Sequence, residues 1–360
     1  MSQNGHHYYI AGNTAEGYYR LTESILKGLD KCYVLTGGPG IGKSTFIKSV
    51  AEEVKGTKHF LEYLHSPSEP GSLDGLIIRE KGIALVDEQL ICHLKKDELG
   101  DTHFIHLSEG LDPVPLTQHK DDIVRLSKQL DHLYDLSYRT FNDSLRAHDE
   151  LEDIYISSMN FNEANKLTNE LIQLFYGNED QPKASKVEHR FLGAATPEGA
   201  KDFIQQLTSD INKRYFIKGR AGSGKSTMLK KIAQAGEEKG YDVEVYHCGF
   251  DPNSLDMIIL RELGIAIFDS TAPHEYFPDR ENDEIVDVYK RCIKTGTDEA
   301  YAIEIARTTK KYKDKMNEAI SLLENAKNVR DQLKTIYSKA MDYAFVDQKK
   351  EEWINDILRK

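Results

Sequence analysis

Gly37-Gly38-Pro39-Gly40-Ile41-Gly42-Lys43-Ser44-Thr45 decides the fold, and Gly219-Arg220-Ala221-Gly222-Ser223-Gly224-Lys225-Ser226-Thr227 answers it later in the chain. Both fit GxxxxGK[ST], the pattern of a phosphate-binding P-loop, or Walker A motif. Gly37, Gly38, Gly40 and Gly42, and likewise Gly219, Gly222 and Gly224, let the backbone curl until successive N–H groups face phosphate oxygens. A helix starting at the lysine adds its positive end. Lys43 and Lys225 are expected on the β- and γ-phosphates, and Ser44 and Ser226 on Mg²⁺, with Thr45 and Thr227 completing each cradle. No [NT]KxD guanine-reading motif occurs in a suitable place, so ATP is the favoured nucleotide.

The flanks supply the context this motif needs. Cys32-Tyr33-Val34-Leu35-Thr36 reads as a buried strand entering the first loop, and residues 44–54 as the helix leaving it. Residues 60–65 and 82–87 read as further strands, matched by 242–247 and 264–269, which predicts an α/β fold with a parallel sheet flanked by helices. Gly82-Ile83-Ala84-Leu85-Val86-Asp87 and Gly264-Ile265-Ala266-Ile267-Phe268-Asp269 each end an apolar strand on a carboxylate, so Asp87 and Asp269 are expected to hold the magnesium shell. Beyond them the copies diverge. The first continues Glu88-Gln89, a candidate general base, and the second Ser270-Thr271-Ala272-Pro273-His274, where Thr271 or His274 would position water.

Other side chains carry weaker signals. A shared block runs from Pro70 through Asp74 to Arg79 and Glu80, and again from Pro252 through Asp256 to Arg261 and Glu262. It reads as a turn with a capping Asp and a local ion pair, or as a source of substrate contacts or of an arginine for the opposite site. His65 and His247 read as structural histidines near the phosphates. His93, His103 and His106 cluster with Cys92 but complete no metal-ligand spacing.

The two loops lie 182 residues apart, and at that offset positions 37–88 and 219–270 agree, without a gap, at 21 of 52 residues. Unrelated sequence would give about three. Thr14, Glu16 and Gly17 recur as Thr196, Glu198 and Gly199; Leu151, Ile154, Tyr155 and Met159 recur as Leu333, Ile336, Tyr337 and Met341. The chain is an internal duplication: a first repeat over 1–180 and a second over 181–360, divided within 177–183, with the second copy opening near Glu188. Residues 116–176 and 297–360 lack Gly and Pro and are predicted to be helical. Ile123, Leu126, Leu130, Leu133, Leu145, Leu151 and Tyr155 make an apolar stripe. A single helix of that length would be a rod of about 90 Å, so each region is expected to fold back as a long-helix hairpin on its own sheet, the alternative being a projecting arm or lid.

With 47 basic against 59 acidic residues and a net charge of -12, binding to nucleic acid or an anionic membrane surface is not expected. Four scattered cysteines suggest neither zinc ribbon nor disulfide framework. The opening Met1-Ser2-Gln3-Asn4 lacks the pattern of a signal peptide, and no apolar run approaches a membrane span, so a cytoplasmic protein is expected.

On its paired loops, on His247-Cys248-Gly249-Phe250-Asp251-Pro252-Asn253-Ser254-Leu255-Asp256 and on Phe268-Asp269-Ser270-Thr271-Ala272-Pro273-His274-Glu275-Tyr276, nearly the whole chain resembles a little-characterised bacterial, Firmicutes-type family of tandem P-loop ATPases, also described as nucleotide-kinase-like. The resemblance implies two P-loop NTPase domains and ATP binding. In that family an Asp-x-Thr-Ala-Pro-His segment can follow both Walker B strands, so Glu88-Gln89-Leu90-Ile91-Cys92 is a departure. Three functions remain open: a magnesium-dependent ATPase that couples hydrolysis to conformational change, a small-molecule or nucleotide kinase, and a non-hydrolysing switch whose helical regions recruit a protein partner.

Overall fold

Each copy builds a six-stranded sheet around the strand that feeds its glycine loop. In the computed structural model, which describes residues 5–55, 57, 59–95, 100–272 and 274–358, the first copy contributes β1 (Gly5–Tyr8), β2 (Ala11–Thr14), β3 (Gly17–Arg20), β4 (Lys31–Thr36), β5 (Leu61–His65), β6 (Leu73–Ile78), β7 (Ile83–Asp87) and β8 (Asp101–His106). The second contributes β9 (Val187–Phe191), β10 (Gly193–Thr196), β11 (Gly199–Asp202), β12 (Lys213–Lys218), β13 (Val243–His247), β14 (Leu255–Leu260), β15 (Ile265–Asp269) and β16 (Glu284–Asp287). Met1, Ser2, Gln3, Asn4 and Pro273 lie outside the described residues.

The strand orders are β1-β5-β6-β7-β4-β8 and, in the second sheet, β9-β13-β14-β15-β12-β16, the same arrangement twice. β4 lies directly between β7 and β8, parallel to both. The sheets are mixed where the sequence predicted parallel ones, because β6 and β14 run antiparallel to both neighbours. Chain length explains this. Only residues 66–72 join β5 to β6 and only 79–82 join β6 to β7, whereas a parallel crossover needs about a dozen residues or more. The shared block around Asp74 and Asp256, read as a turn, is therefore mostly strand. The pairs β2–β3 and β10–β11 form separate hairpins.

The helical regions depart further from expectation. Each holds one long helix, Lys120–Ser157 or Ala302–Ala340, then a return helix, Phe161–Tyr176 or Tyr343–Ile357. Asn160 and Asp342 cap the return helices through their side-chain oxygens, which accept from Glu163 N and Ala344 N, and this ends each long helix. The long helices do not fold onto their own sheets; they pack along each other. Leu126 meets Val329 and Leu333 in one cluster, and Phe141 meets Ala319 and Leu323 in another, so the predicted apolar stripe faces the other copy's helix.

Each return helix then crosses to the opposite half. Leu167, Leu171, Phe175 and Tyr176 pack with Ile217, Met228 and Ile232 of the second copy, and Val346, Trp353 and Ile354 with Leu35, Phe46 and Val50 of the first. Backbone bonds stitch both crossings: Asn160 N donates to Cys292 O at 2.7 Å and Asp112 N to Ala340 O at 2.7 Å. Packing units and sequence repeats thus do not coincide for the arms.

At the junction of the halves the buried Arg190 lies 3.2 Å from Glu244, while Arg79 pairs with Glu62 at 2.9 Å and with Glu188 at 2.9 Å, and Arg261 with Glu244 at 2.7 Å. Burial opposes ionisation of both glutamates, but the guanidinium groups hold Glu62 below its ordinary range and Glu244 down at about 2. Arg79 and Arg261 are committed here, not to the opposite glycine loop. No helix among the described residues is long and apolar enough to cross a membrane.

Candidate functional site

Both glycine loops sit where a buried strand turns into a helix, β4 into Lys43–Val54 and β12 into Lys225–Glu238. Gly42 (φ 99°) and Gly224 (φ 84°) precede these helices in the left-handed region, which other residues enter at a cost, so the tight turn is built from the residue type that permits it. Thr45 and Thr227 are exposed in the first turn.

Three predicted groups converge in each copy. Lys43 Nζ donates to Gly37 O at 2.7 Å and lies 2.9 Å from Asp87 Oδ2; Lys225 Nζ donates to Arg220 O at 2.7 Å and lies 3.5 Å from Asp269. Parallel pairing sets this, since Leu35 is level with Asp87 and Ile217 with Asp269. Ser44 Oγ accepts from Leu73 N at 3.0 Å, and Ser226 Oγ from Leu255 N at 3.0 Å.

That bond draws in a carboxylate that reads in the sequence chiefly as a turn cap. Asp74 follows Leu73, one position beyond the cross-strand pair Gly75–Val86, and so stands beside Asp87 on the adjacent strand. Asp256 stands beside Asp269 in the same way, beyond Met257–Phe268. Asp74 is buried, and its Oδ2 has no hydrogen-bond partner. Burial first, then the Asp87 charge, push the Asp74 carboxyl up to about 7; burial and Asp269 push Asp256 up to about 6. Two adjacent carboxylates beside a serine hydroxyl form an oxygen donor set suited to Mg²⁺.

The copies differ beyond this shared frame. Glu88 Oε1 accepts Gly37 N–H at 2.8 Å and lies 3.9 Å from Lys43, at the mouth of the first loop. In the second copy Asp269 Oδ1 accepts from Thr271 Oγ1 at 2.6 Å, and His274 turns to Asp202, Nδ1 to Oδ2 at 2.8 Å. Burial is the largest influence and opposes charge on that imidazole, but the Asp202 bond and charge, together with the charges of Asp256 and Asp269, outweigh it and hold His274 above its ordinary value. His65 and His247 are paired with His7 and His189, each at 2.8 Å. His103 contacts Asp101 and His106 contacts Thr36.

The opposite half covers each loop. A methyl group added at Gly40 would lie 2.7 Å from Lys334 O, and one added at Gly222 would lie 2.5 Å from Glu152 O. Tyr337 stands over Gly38, where an added methyl would come within 3.0 Å of the ring. Tyr343 Oη donates to Gly40 O at 2.8 Å, and Met159 reaches Gly224. The late repeat matches Tyr155, Met159, Tyr337 and Met341 lie at these arm ends, where each copy meets the other. Compared with known proteins, the chain matches no family model, no curated protein and no solved structure.

Proposed function

We propose that the chain is a tandem nucleoside triphosphatase that binds ATP with magnesium at both glycine loops and couples its hydrolysis to a change in how the crossed arms sit on those loops. What carries the reading is the recurrence, in both copies, of a loop lysine beside a strand-end aspartate and a first-turn serine, at the start of a helix capped by a left-handed glycine. Lysine and backbone N–H groups suit phosphate; serine and paired carboxylates suit magnesium.

Lys43 and Lys225 would bind the β- and γ-phosphates in exchange for the aspartates they now contact. Magnesium, held by Ser44 and Asp87 or by Ser226 and Asp269, would neutralise charge developing between the β- and γ-phosphates. At the first site Glu88 would take a proton from water as the water oxygen bonds to the γ-phosphorus and the β–γ bridging bond breaks, leaving ADP and phosphate. At the second, Thr271 or the Asp202-held His274 would orient water instead.

The test is phosphate release from MgATP by wild type, Lys43→Ala and Lys225→Ala, with and without a panel of nucleotide and metabolite acceptors. Release without an acceptor, reduced by at least one lysine variant, is expected. Release only with an acceptor would replace hydrolysis by phosphoryl transfer, and tight binding without turnover would make the protein a switch.

A further inference from the structure

The arms do not bring the same charge to the two loops. At the second loop Glu152, carried by Lys120–Ser157 from the first half, accepts the Gly222 N–H on Oε1 at 3.2 Å. A backbone N–H of such a loop is what a phosphate oxygen would otherwise take. The Glu152 carboxylate therefore stands in for an anionic ligand. At the first loop the counterpart residue is Lys334, an opposite charge at the same place in the repeat, whose ammonium pairs with Glu69.

The neighbours strengthen the contrast. Around Glu152 the arm end carries His148, Asp149 and Asp153; around Lys334 the counterparts are Arg330, Asp331 and Thr335. Counting histidine as neutral, these four positions sum to -3 over the second loop and +1 over the first. His148 lies 3.7 Å from Glu152, and the half-buried Arg330 sets its guanidinium over the Tyr134 ring at 5.5 Å, with Asp74 among the charges acting on it. At a few ångströms, in partly desolvated surroundings, such a difference acts strongly on a polyanion.

We propose that the crossed arms make the two sites unequal: the first loop, where the carboxylate on a loop amide is its own copy's Glu88 at Gly37 and the arm brings Lys334 and Arg330, takes the triphosphate more readily, whereas the second is closed by the arm's Glu152 and fills only when that carboxylate leaves the Gly222 amide. This rests on the phosphate-binding reading above. It makes Glu152 and Lys334 specificity-determining residues, each acting on a site formed by the other half. Occupancy of the second loop then requires displacement of the first half's long helix at its C-terminal end.

Titration with a fluorescent N-methylanthraniloyl ATP and magnesium tests the idea. Wild type should show one tight phase per chain, removed by Lys43→Ala and kept in Lys225→Ala. In the Lys43→Ala background, Glu152→Gln and Glu152→Lys should each tighten the remaining site about tenfold or more, an effect that shrinks as salt rises. Lys334→Glu should weaken the tight phase by a similar factor, and Lys334→Arg should preserve it. Thermal melts of every variant check folding, and Glu152→Ala substitutes for a variant that fails to fold. Two equal phases in wild type, a tight phase lost in Lys225→Ala, or a second site unmoved by Glu152 substitutions would overturn the inequality alone. No saturable binding in any variant would remove the phosphate-binding reading itself.

Discussion

Ser137 and Ala319 are counterparts in the repeat and touch each other, Ser137 Oγ donating to Ala319 O at 3.1 Å where the long helices cross. Asn13 and Ala195, also counterparts, meet in the same way, Asn13 Nδ2 donating to Ala195 O at 3.0 Å. A residue can meet its own counterpart only near the local twofold relating the copies, so both contacts mark that axis. The arms cross at it, and a chain cut within 177–183 should remain one particle. Size-exclusion chromatography of protein carrying a protease site there should show both fragments co-eluting after cleavage; separation into two folded monomers would contradict crossed arms.

Trp353 gives a sharper local test. It belongs to the second copy's return helix but is buried in the first copy's core, edge-on to Tyr33 with ring centroids 5.4 Å apart. Trp353→Ala should cost about 3–5 kcal/mol of stability in denaturant unfolding. Hydrogen exchange should locate the loss in β4 and Lys43–Val54, over 290 residues upstream of the substitution. Loosening confined to the second half would contradict the crossing.

The Asp74 carboxyl predicts a pH effect. Its folded value, pushed up to about 7 from an ordinary 3.8, means that between those limits the folded state holds a proton the unfolded state releases. Stability from this group is therefore present below about 3.8 and lost as pH rises to about 7. Asp74→Asn should be more stable than wild type in denaturant unfolding at pH 8 without magnesium, by about 4 kcal/mol, with the advantage vanishing near pH 4. The same variant should gain less stability from added magnesium. Equal stability at pH 8 would show that Asp74 carries no such strain.

The junction network should respond in the opposite sense. Glu244, held at about 2 against an ordinary 4.5, contributes stability above 4.5 that is lost as pH falls towards 2. Arg190→Leu would leave the buried Glu62 and the half-buried Glu244 with only Arg79 and Arg261 as partners and should cost about 2–3 kcal/mol at pH 7, less at pH 3. An unchanged unfolding midpoint at pH 7 would contradict the role given to Arg190.

Part of this architecture was legible in the sequence. The glycine loops, the apolar strands and the Asp87 and Asp269 positions follow from local pattern, and the structure brings those residues together. The identity of β6 and β14 was hidden because Asp74 and Asp256, beside Pro70-Gly71 and Pro252-Asn253, resemble turn chemistry, and only the short connectors enforce the antiparallel strand. The crossing of the arms was hidden for a different reason. The stripe from Ile123 to Tyr155 shows that a face is buried, but duplicated halves offer that face two nearly identical partners. The recurrence of Leu151, Tyr155 and Met159 as late repeat matches was the available signal that the arm ends mattered.

Binding of MgATP measured by calorimetry on wild type and on Lys43→Ala/Lys225→Ala tests the central claim most directly. Saturable heat in wild type that depends on magnesium and disappears in the double variant, with the variant still unfolding in one cooperative transition, is the predicted result. Identical binding by both proteins, or none by wild type, would contradict it.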